Sequence, residues 1–118
     1  MTTTDVDTRR IRAAKNQSLF REVNERIEQL DPAKSAVVDH EIEFICECAN
    51  DECTERVALS IARYEEIRSG SNDFFVVAGH DVSEVETIVS GDDGYVVVRK
   101  LGTGMRVAET LNPRTRKR

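Results

Sequence analysis

The chain has 118 residues, of which 39% are apolar and 33% charged, with no tryptophan and a net charge of −5. That length fits one domain, and no run of about 18 apolar residues offers a membrane-spanning helix. Residues 1–35 carry a net +1, residues 36–99 a net −11 and residues 100–118 a net +5, so an acidic body that repels nucleic acid ends in a basic segment.

The opening Met1-Thr-Thr-Thr-Asp-Val-Asp lacks the basic start and apolar run of a secretory signal, which makes the cytoplasm the expected location. Residues 1–8 are expected to be disordered, with Asp7 or Thr8 available as a helix cap. A helical pattern follows over 9–31. Phe20, Val23, Ile27 and Leu30 recur at helical spacing with Leu19 beside them, and this apolar stripe is expected to pack on the sheet or to dock a partner. Asp31-Pro32 stops the helix, because the residue before proline disfavours the helical region.

Residues 37–104 read as an α+β domain: a small, mostly antiparallel sheet with one short helix and a metal-stapled turn. Glu41–Cys46 has strand character, and Thr54–Leu59 suits a second short strand. Ser60 caps a helix over Ile61–Arg68 that turns Ile61, Tyr64 and Ile67 inward, with Gly70 just past its end. Phe74–Ala78 is a strand broken by Gly79-His80. Val85–Val89 and Tyr95–Arg99 flank the Gly/Asp-rich 90–94 as a hairpin. Periodicity fades after Gly102, and residues 105–118 read as a tail ending in Arg114-Thr-Arg-Lys-Arg118, the one segment suited to an acidic surface or RNA.

The chemistry lies between residues 46 and 53. All three cysteines of the chain, Cys46, Cys48 and Cys53, fall there in a C-x-C-x₄-C pattern. In a reducing compartment clustered cysteines serve as metal ligands or redox groups, and an odd number cannot close a disulfide framework. Zinc takes four thiolate or imidazole donors at tetrahedral corners. Ala49-Asn-Asp-Glu52 can reverse the chain around one ion, and Asn50 or Asp51 tolerates the left-handed conformation. His80, at a strand end, is the preferred fourth ligand. His40 is the competitor, but roughly 20 Å of strand separates it from Cys46. A Cys₃His set has no open position for a catalytic water, so such a zinc is structural. Buried inert cysteines and a redox-reactive cluster are the other readings, with Cys48 as a nucleophile beside His80 a further one. No phosphate-binding loop, Ser/His/Asp set or catalytic carboxylate pair stands out.

The blocks Phe-Ile-Cys-Glu-Cys-Ala, Cys-Thr-Glu-Arg-Val, Phe-Val-Val-Ala-Gly-His and Asp-Gly-Tyr-Val-Val-Val resemble an uncharacterised family of small actinobacterial proteins across about residues 41–100. In that pattern the three cysteines occur with the Gly-His pair, which implies that His80 joins the cluster. The family has no established activity, so the resemblance implies no catalytic role. The expected function is a non-enzymatic, zinc-stabilised interaction or regulatory module with a protein partner. The alternatives are a redox- or zinc-responsive sensor and an enzyme whose zinc keeps a water in place of His80.

Overall fold

The computed structural model describes residues 2–30, 41–92 and 94–116, and its architecture is α+β. Helix α1 spans Thr2–Leu30. It is followed by β1 (Glu41–Ile45), β2 (Arg56–Ser60), α2 (Ile61–Arg68), β3 (Asp73–Val77), β4 (Glu86–Asp92), β5 (Tyr95–Lys100), α3 (Thr103–Thr110) and α4 (Pro113–Arg116). The expected single sheet is two antiparallel ones: a β1–β2 ribbon, and a three-stranded sheet in the order β3-β5-β4. Asp31-Pro32 and His40 lie outside the described residues.

Local chemistry accounts for the middle of the chain. The Ser60 hydroxyl accepts the Arg63 N–H at 3.1 Å and caps α2, which buries Tyr64 and Ile67. Strands β3 and β5 are rich in β-branched and aromatic residues because both of their faces are covered. Phe75, Tyr95 and Val97 join Phe44, Leu59, Tyr64 and Ile67 in one cluster, where Phe44 stacks on Tyr64 at 4.4 Å between centroids. Phe74, Val76 and Val98 pack with Cys46, Cys48 and Ala108 in a second.

Both ends of the chain depart from expectation. Residues 2–8 are helical, as the first turns of α1. The segment after Gly102 forms α3, which approaches α1 through small residues rather than large apolar ones. A Cβ on Gly104 would lie 3.3 Å from the Arg10 carbonyl, and Ala108 is fully buried. A search for large apolar residues at helical spacing does not detect such packing. Arg114, the first residue of the basic segment, bonds Glu25 at 2.9 Å and Glu65 at 2.8 Å, so its charge is already paired within the fold.

The main correction concerns the face of α1. Its helical period is as expected, but the phase is rotated. Leu19, Val23 and Leu30 are 61%, 46% and 75% exposed, and Phe20 and Ile27 are half-buried. The buried stripe is Ala13, Ala14, Gln17, Ser18, Arg21, Asn24, Glu25 and Glu28, most of it polar.

The reason is that α1 covers open backbone rather than an apolar surface. Asn24 accepts the Ile45 N–H at 2.9 Å and donates to the Ile45 carbonyl at 3.0 Å, closing the free edge of β1. Arg21 donates to the carbonyls of Ser71 and Ala108 at 2.7 and 2.8 Å and lies over the Phe74 ring; its pKa is lowered to about 10, chiefly by burial. Gln17 bonds the Glu47 carbonyl, the Glu86 carboxylate and Lys100, whose ammonium pairs with Glu86 at 3.0 Å. Burial lowers the pKa of that lysine. Glu25 accepts from Tyr64 at 2.5 Å; burial pushes its carboxyl up, but the bonds from Arg114 and Tyr64 bring it below the usual carboxylate range.

This inverted face makes opposite predictions for neighbouring turns of one helix. Asn24→Ala leaves buried backbone groups of Ile45 unpaired and is expected to lower unfolding free energy by about 2 kcal/mol. Leu19→Ser is expected to change it by less than about 0.5 kcal/mol. Urea denaturation of the two variants measures the contrast.

Candidate metal centre

Three segments converge on the centre. Strand β1 delivers Cys46 directly after Ile45, and two residues on, Cys48 returns to the same side, as alternate residues of an extended chain do. Cys46 remains tied to β2 through its N–H, which donates to the Glu55 carbonyl at 2.9 Å. The reversal at Asn50 then brings Cys53 back. The Asn50 side chain accepts the Glu52 N–H at 3.0 Å and its carbonyl accepts the Cys53 N–H at 3.1 Å. Neither Asn50 nor Asp51 uses the left-handed conformation open to it; the asparagine side chain completes the turn instead.

His80 arrives from the end of β3. The turn Val77–His80 is closed by the His80 N–H donating to the Val77 carbonyl at 2.9 Å, and Gly79 takes a φ of 93°, which a side-chain-bearing residue rarely adopts. The Val77 N–H donates to Cys46 Sγ at 3.2 Å, so the strand that carries His80 is bonded to the first cysteine.

The candidate donor atoms of Cys46, Cys48, Cys53 and His80 all lie within 4.8 Å of one another, and none of the cysteines is in a disulfide. The His80 Nδ1 is 3.6 Å from Cys46 Sγ and 3.7 Å from Cys53 Sγ. A tetrahedral ion with sulfur at about 2.3 Å and nitrogen at about 2.0 Å separates those two donors by about 3.6 Å. The four side chains therefore fit one metal ion, with the imidazole presenting Nδ1. Its other nitrogen, Nε2, faces Glu55 Oε2 at 3.7 Å, the arrangement in which an outer carboxylate orients a ligating histidine.

Burial, reinforced by the neighbouring sulfurs, raises the Cys46 thiol, and burial also raises that of Cys48. An activated nucleophilic cysteine requires the opposite shift. A metal ion that displaces these protons supplies the positive charge a buried thiolate needs. Cys46 and Cys48 are buried, while Cys53 and His80 are half-buried and form the open side of the centre.

The four site residues expected from the sequence thus come together in space. Sequence reasoning missed their supports. Glu47, the residue between two candidate ligands, is fully buried; its carboxylate bonds Arg68 at 2.5 Å, Asn24 at 2.8 Å and the Phe75 N–H at 3.3 Å. Asn16 donates to the Ala49 carbonyl at 3.3 Å. The signal for these partners lay in the polar residues Gln17, Arg21, Asn24 and Glu28, whose 4–3–4 spacing is itself a helical stripe.

Glu55→Gln removes the charge that faces His80 without removing a donor from the cluster. It is expected to weaken divalent-metal affinity by about tenfold, the lower end for an outer-shell partner. His80→Ala should weaken it more, and competition with a chromophoric chelator compares the two. No protein-family model, curated protein or solved structure matches this chain, so the reading of the centre rests on its own geometry.

Proposed function

We propose that the chain is a non-catalytic, zinc-stabilised interaction module that acts in the cytoplasm through a protein partner. The observation that carries this reading is the donor set: three sulfurs and one imidazole nitrogen within 4.8 Å of one another, with that nitrogen 3.6 and 3.7 Å from two of the sulfurs. Thiolate and imidazole donors favour zinc over magnesium or calcium, which take oxygen ligands. Four protein ligands leave no position for a metal-bound water, which argues against hydrolytic use of the ion.

What zinc would stabilise follows from the bonds around its ligands. The 45–49 strap receives α1 through Asn16, Gln17 and Asn24, and lies against β3 through Cys46 and Glu47. An ion that pins residues 46, 48 and 53 therefore also holds the strap on which the long helix rests. A second reading, a redox-responsive sensor, draws on the half-buried Cys53 within reach of the other two sulfurs. In that case a peroxide-class oxidant would take two electrons from a pair of thiolates, forming a disulfide and expelling the ion.

Native mass spectrometry of protein purified without added metal tests the reading. One zinc per chain is expected, lost in Cys48→Ser. A folded protein with no metal and three freely titrating thiols would overturn it. On chelation, amide exchange across residues 13–28 is expected to quicken together with that of the 45–53 strap. Rapid metal release by mild peroxide from the native protein would favour the sensor.

A further inference from the structure

Where α1 lies alongside α3 the surface combines apolar side chains with a border of cations. Two shallow hollows of about 240 and 280 Å³ meet at Lys15. Their floor contains Ile11 on α1, Val107 on α3 and Leu111 just past the end of α3, all half-buried, while Arg12, Lys15 and Arg106 stand exposed around them. Along α1 the same face continues one and two turns beyond Lys15 as the exposed Leu19 and Val23, at i+4 and i+8. The side of α1 turned to the fold is mostly polar, and Leu19 and Val23 are left on this outer face.

We propose that this groove docks an acidic amphipathic helix of a protein partner. The inference deepens the interaction-module reading by naming the surface and the class of partner, and it does not depend on the metal. Charge complementarity selects the occupant. Three exposed cations border an apolar floor on a chain whose residues 36–99 carry −11, so the groove is a local positive site on an acidic protein. A helix with leucines on one side and glutamates beside them satisfies floor and rim together. A nucleic acid satisfies only the rim. None of the named lining residues is aromatic, so bases find no stacking platform, and the long polyanion meets the acidic body on either side.

The test uses the full chain, isotopically labelled, with a synthetic helix of about five turns as probe, bearing leucine at i, i+3, i+4 and i+7 and glutamate elsewhere. A lysine-for-glutamate version of that peptide and a single-stranded oligonucleotide serve as comparators. Saturable shifts are expected in amides of residues 8–23 and 103–111 with the acidic peptide alone. Lys15→Glu combined with Arg106→Glu is expected to weaken binding by at least about tenfold, with the melting temperature and metal content unchanged. Absence of saturable binding, or shifts confined to other surfaces, would overturn the proposal while leaving the metal centre intact. Tighter binding of the oligonucleotide at the same residues would replace it with a nucleic-acid site. A marked loss of thermal stability in the double variant would assign the groove to this chain's own fold, and so overturn it as well.

Discussion

A buried carboxylate set between two metal-candidate cysteines ties α1, α2 and β3 to the end of β1. The Glu47 side chain bonds α2 through Arg68, α1 through Asn24 and β3 through the Phe75 N–H. Its main chain bonds β3 through the Phe75 carbonyl and α1 through Gln17. Taking a carboxylate and a guanidinium out of water costs several kcal/mol for each ion, and that cost is offset only when the remaining lone pairs and protons find partners. Here the carboxylate has three donors. The guanidinium lies over the rings of Tyr64 and Phe75 at 5.1 and 5.4 Å, which offset part of its own desolvation.

This arrangement explains why α1 turns a polar face inward. A hydrophobic stripe on a hydrophobic sheet can slide by a turn with little penalty, because apolar contact has no direction. Hydrogen bonds to the backbone of Ile45, Ser71 and Ala108 accept a single register of the helix, since displacement leaves buried carbonyls unpaired. The apolar core draws little on α1: Phe44, Tyr64, Phe75 and Val97 form its centre, and from the helix the half-buried Ile27 packs against them. The helix therefore contributes position more than buried apolar area, and its own leucines remain on the surface.

The cluster of sulfurs and the polar interface are parts of one device. Cys46 is a candidate ligand through Sγ, accepts the Val77 N–H through the same atom, and anchors to Glu55 through its amide. Glu55, in turn, directs its side chain at His80. The peptide between the two candidate ligands carries Glu47, which bonds α1, α2 and β3. Burial raises the thiols of Cys46 and Cys48 above their ordinary range.

Most of the local structure was legible from the residues in order. The alternation in Glu41–Ile45, the Ser60 cap, the Gly-His break after β3 and the Gly/Asp-rich hairpin each depend on neighbours a few positions away, so local chemistry decided them. The C-x-C-x₄-C spacing likewise placed the three cysteines within reach of one ion, provided that the chain reverses between Cys48 and Cys53, as it does at Asn50. What only the tertiary structure decided was long-range pairing: two sheets rather than one, α3 packed through Gly104 and Ala108, and the inward face of α1. A hydrophobic period identifies a helix but cannot say which side faces in when the surface beneath it is open backbone. The burial of Gln17, Arg21, Asn24 and Glu47 depends on partners as many as 87 residues away, and that pairing exists only once the chain has folded.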